Sequence, residues 1–92
     1  MNEIVNPIQL NELIETIRIA VRRRDYAGGE LEIAKAMRDH PHSPIPHNLM
    51  GILFVSQQEQ LIALKHFRAA AALDPTYLPA RCNLELCASM NA

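Results

Sequence analysis

Residues able to do chemistry are few in this chain, and their spacing narrows what they can do. Arg18, Arg22, Arg23 and Arg24 place four of the nine basic residues within seven positions. Such a group answers an anion or an acidic partner; at a helix end, it also simply opposes the negative terminus. His40, His42 and His47 raise the question of a metal. Two imidazoles at i, i+2 in a proline-rich turn do not fix a tetrahedral set, and no cysteine or paired carboxylate stands near them in sequence, so no metal site is expected. The hydroxyls Thr16, Ser43, Ser56, Thr76 and Ser89 are not set in a glycine-rich elbow. Glycine occurs only at 28, 29 and 51, which leaves no loop to cradle a phosphate. Glu12 with Glu15, and Glu30 with Glu32, read as solvated helix faces. The expectation is a protein without catalytic residues or cofactor.

Length and charge point the same way. The 92 residues are 49% hydrophobic and 21% charged, with 9 Lys plus Arg against 10 Asp plus Glu. That is one domain with one modest core. A net charge of −1 argues against a dedicated nucleic-acid binder, and no aromatic residues interleave with the arginines. Cys82 and Cys87 are five apart, on divergent faces of one helix, so an intrachain disulfide is not expected. The N-terminal residues lack a basic stretch followed by an apolar one, and no apolar run reaches the ~20 residues of a membrane span. A soluble cytoplasmic protein is the expectation.

The elements that must position these residues are helices. Leu10, Leu13, Ile14, Ile17 and Val21 recur at three- and four-residue steps, with Asn6-Pro7 as the start of that helix. Ile33, Ala36 and Met37 mark a second helix that ends before His40-Pro41. Ser43-Pro44 opens a third, to about Gln57. A fourth carries Leu61, Leu64, Phe67, Ala70 and Leu73 to Asp74-Pro75. The last runs from about Tyr77 to the end of the chain. Five helices joined by short, proline-marked turns predict an all-α stack of antiparallel neighbours.

A period runs through this pattern. Pro41 and Pro75, Ala36 and Ala70, and Val21 and Val55 each stand 34 residues apart. Residues 44–77 carry His47-x-x-Met50-Gly51-x-x-Phe54, then Ala63-x-x-x-Phe67, Ala70 and Pro75. Residues 10–43 are a weaker copy with Tyr26, Gly29, Ile33, Ala36 and Pro41 in place, and residues 78–90 start a third. The chain thus resembles the tetratricopeptide repeat, a 34-residue helix–turn–helix unit. The resemblance implies a short α-solenoid of about two and a half repeats, with the final helix as its cap.

It also implies where a partner would lie, because the first helix of each such hairpin lines a concave groove. The matching positions are Asn11, Ile14, Arg18, Val21 and Arg22 in the first copy. The second contributes Ile45, Asn48, Ile52, Val55 and Ser56, and the final helix Cys82, Leu86, Ser89 and Met90. The expected function is non-catalytic binding of a peptide or amphipathic helix, with an acidic residue toward Arg18 or Arg22. Two alternatives are a small chaperone or assembly factor for a secretion- or pilus-type subunit, and a homo-oligomer closed through its final helix. The five residues with which one branch of the family grips chaperone C-termini have no match at Ile14, Arg18, Leu49, Pro79 and Asn83. A heat-shock co-chaperone role is therefore not expected. The final helix has only Arg81 and Glu85 as charges, with Leu86, Cys87 and Met90 still to hide.

Overall fold

A computed structural model describes residues 7–90, with side chains from Leu10 to Ser89. It holds α1 (Pro7–Arg23), α2 (Tyr26–Asp39), α3 (Pro44–Ser56), α4 (Gln60–Leu73) and α5 (Leu78–Met90), and no strand among the described residues. Local chemistry sets these boundaries. Asp25 caps α2 by accepting a hydrogen bond from the Gly28 amide at 3.1 Å. Ser43 caps α3 through the Ile45 amide at 3.2 Å, and Pro44 fills the first helical position, where its missing N–H is no loss. The capping role expected of Asn6 lies outside the described residues.

The backbone repeats with the same period as the sequence. Among the described residues, Arg24 at φ 60° and Gln58 at φ 62° are the non-glycine residues with positive φ, and they stand 34 apart. Each closes its helix in the same way. The Arg24 and Asp25 amides donate to the carbonyls of Val21 and Ala20, and the Gln58 and Glu59 amides to those of Val55 and Phe54. That pair of bonds, with a left-handed residue between, is the Schellman closure. The turns between hairpins match too: His40 donates to Ala36 as Asp74 does to Ala70, and Ser43 to His40 as Tyr77 to Asp74. Helices α2 and α4 share their bounds at this offset, as do α3 and α5.

Consecutive helices pack as antiparallel neighbours, and α3 also touches both α1 and α5. Among the described residues the backbones of α2 and α4 make no close approach. The result is a helical-repeat arrangement with α1, α3 and α5 in one layer and α2 and α4 behind them. The slab is 46 × 30 × 16 Å, two helix layers thin. Its core has two centres. Ile17, Ile33, Leu49, Met50 and Leu53 join the first hairpin to α3, and Ala63, Leu64, Phe67 and Cys87 join α4 to α5. Phe54 borders both.

Close approach in the second hairpin depends on Gly51. A Cβ placed there would run into the ring of Phe67, which is 2% exposed, so the ring would have to shift. Cys87, expected to need a cover, is already buried: α5 turns it onto α4, where its thiol donates to the Gln60 carbonyl at 3.4 Å. Leu86, the next residue, stays outside and is 64% exposed.

Candidate functional site

The α1–α3–α5 layer carries two adjoining apolar recesses. The first, about 170 Å³, lies between Ile14, Ile17, Arg18 and Val21 of α1 and Leu49 and Ile52 of α3. The second, about 280 Å³, is walled by Ile52 and Val55 of α3, Phe67 of α4, and Asn83, Leu86 and Cys87 of α5. Ile52 is shared, a ridge between the two. These side chains meet because helix spacing brings i, i+4 and i+7 to one face: 14, 18 and 21 on α1, and 52 and 55 on α3.

Arg18 stands at the wall of the first recess and is the one cation there. Its guanidinium lies 3.2 Å from the Glu15 carboxylate, with both side chains more than half exposed. A pair so exposed contributes little to stability, so it exchanges readily for a carboxylate from outside. The arginine cluster is not one patch. Arg23 lines a separate recess between α1 and α2 with Asp25 and Glu32, while Arg22 and Arg24 are exposed beyond both grooves.

Of the positions matched to the groove, Ile14, Arg18, Val21, Ile52, Val55 and Leu86 line the recesses. The others are placed differently. Asn48 is 3% exposed, and its Oδ1 accepts a hydrogen bond from the Asn83 side-chain amide at 3.0 Å. It ties α3 to α5 because α5 lies over it, which takes Asn48 itself out of reach of a ligand. Ile45 is half-buried against the first core centre. Ser56 bonds back to the carbonyls of Ile52 and Leu53. Asn11, Arg22, Cys82 and Ser89 are exposed and wall neither recess. The Met90 side chain lies outside the described residues.

Ile17, Leu49, Phe67, Asn83 and Cys87 join the lining without having been expected there. Ile17, Leu49, Phe67 and Cys87 are core residues whose edges reach the surface, and sequence periodicity assigns such residues only to the core. Asn83 is a half-buried polar residue brought there by its bond to Asn48.

A second unforeseen cluster holds two histidines. His66 of α4 stacks between His47, at 5.8 Å between ring centroids, and Phe54, at 5.7 Å and 4° from parallel. Burial pushes both imidazoles below the ordinary 6.5. His47 adds to the lowering at His66, and Glu30 opposes it. His47 Nδ1 is buried without a hydrogen-bond partner, as is His40 Nδ1. Among the described residues no three His, Cys, Asp or Glu side chains gather as a metal would need, and no helix is long and apolar enough to cross a membrane.

No protein-family model matches the chain, and no curated protein sequence matches it.

Proposed function

We propose that this chain is a tetratricopeptide-type interaction module that holds an amphipathic helix of another protein along the α1–α3 recess. The observation carrying the proposal is the continuous apolar wall of Ile14, Val21, Leu49 and Ile52 with Arg18 on its rim. The 34-residue recurrence of the Schellman turns supports the repeat reading. A binding surface of this kind works through a few anchors placed in recesses rather than through total area. An apolar pair at i and i+4 of the ligand enters the α1–α3 recess beside Ile52, and an acidic residue one turn away replaces Glu15 at Arg18. The module acts without catalysis or cofactor. Its setting in this reading is the cytoplasm, where the exposed Cys82 persists as a thiol.

The test is a displayed library of amphipathic helical peptides, selected against the purified 92-residue protein. Selected sequences should carry apolar residues at i, i+3 or i+4, and i+7 with an acid at one flank. Arg18→Glu should reverse the preference to a basic flank, and Ile52→Glu should remove binding with helicity unchanged. A selection giving no helical consensus, or a consensus unaffected by both variants, would sink the proposal.

A further inference from the structure

The outer face of α5 is uncovered among the described residues, and the rest of the fold shows what such a face is built to meet. Leu78 is 62% and Leu86 64% exposed, and Cys82 between them is exposed as well. At i, i+4 and i+8 they form one stripe along the helix. Cys82 stands 34 residues after Asn48, and Leu86 stands 34 after Ile52. In α3 a helix, α5, packs over the Asn48 position, which is 3% exposed, while Ile52 stays at the rim of that contact. At Cys82 the stripe on α5 is therefore a helix-packing position without its helix, with Leu78 and Leu86 as its exposed apolar flanks.

Charge selects the occupant. Arg81 and Glu85 flank the stripe on one side, one turn apart and exposed, and neither is in an ion pair among the described residues. We propose that a second copy of this chain covers the face, its α5 packed antiparallel on the first about a two-fold axis near Cys82. Across such an axis each flank meets the same flank of its mate, so only a flank carrying both signs attracts itself. Arg81 and Glu85 lie symmetrically about position 83. Leu78 and Leu86 lie symmetrically about position 82, one residue away. An axis between 82 and 83 therefore lets the long Arg81 side chain of each copy reach Glu85 of the other while Leu78 packs beside Leu86. A flank of one sign would instead favour a foreign helix of opposite charge. Leu86 also borders the second recess, so the dimer leaves the α1–α3 recess as the open one.

Sedimentation equilibrium of the 92-residue protein, from about 1 µM to about 1 mM, reads the association directly. A dimer is expected, with Leu86→Glu shifting it to monomer. Arg81→Glu and Glu85→Arg should each weaken it roughly tenfold, since each turns two attractions into repulsions. The double variant Arg81→Glu/Glu85→Arg should return it to within about twofold of the original, because the swap restores both pairs. A short bismaleimide should join the two Cys82 thiols, and Cys82→Ser should give no linked dimer. A monomer throughout overturns the proposal. So does a dimer indifferent to the single reversals, or one that the double variant leaves weak.

Discussion

The side-chain amide of Asn83 donates to Oδ1 of Asn48 across 3.0 Å, joining α3 to α5 in a contact where Asn48 is almost wholly enclosed. A buried polar pair of this sort contributes less through its own strength than through the penalty for breaking half of it. Asn83→Ala strips the partner from a buried acceptor and should cost ~1–3 kcal/mol in chemical denaturation. Changing both residues to Leu should recover most of that loss, since no polar atom is then left unsatisfied. A double variant as unstable as the single one would show that packing volume, not the hydrogen bond, sets the cost.

The Gly51–Phe67 contact makes two opposite demands on one spot. Phe67→Ala empties the second core centre and should cost ~3–5 kcal/mol, a large share of a total stability of ~5–15 kcal/mol. Gly51→Ala pushes a methyl group into the ring and should cost about 1–3 kcal/mol by overpacking, despite alanine's better helix propensity. Combining the two should cost less than their sum, because the smaller residue at 67 makes room for the methyl. Strict additivity in thermal melts would contradict the contact.

Two left-handed residues that are not glycine give a stabilisation test. Arg24 and Gln58 each hold φ near 60° at equivalent turns. Gln58→Gly removes the Cβ conflict and should raise stability by about 0.5–1 kcal/mol, and Arg24→Gly should do the same independently. The two sit in different hairpins, so the gains should add. A loss on either substitution would show that the side chain contributes more than its backbone strain costs.

Acid should weaken the second hairpin. His47 and His66 hold their pKa values below 6.5 in the folded chain, so the unfolded chain binds more protons as pH falls through that value. Stability therefore rises with pH and is lost on acidification from about pH 7 to about pH 5. His66→Phe keeps the stack on Phe54 and should flatten that part of the profile. The window stays clear of Asp74, whose carboxyl Thr76 holds below 3.8 through its hydroxyl and backbone amide. Urea midpoints at several pH values check the slope. A profile unchanged in the variant would remove His66 as its source.

Much of the fold is legible one segment at a time. Helix starts at Ser43-Pro44, stops before His40 and Asp74, and the 34-residue spacing of Pro41 and Pro75 all follow from capping, proline geometry and apolar periodicity. Part of the recess lining was anticipated through the repeat resemblance, which put Ile14, Arg18 and Val21 on one face of α1. What spacing cannot say is whether a neighbour lies over that face. His66 shows the limit: nothing in its own segment places it between His47 and Phe54, which come from another helix.

The sequence by itself determined five helices, their turns and the period that relates them, since each depends on residues a few positions apart. Only the tertiary structure decided the fate of equivalent positions. Asn48 and Cys82 stand 34 residues apart, yet Asn48 is sealed and Cys82 is open. The physical reason is burial by a neighbour: α5 covers the face of α3 that holds Asn48, and no described element covers the same face of α5. Periodicity assigns a residue to a face, and only packing determines whether that face meets a helix or water.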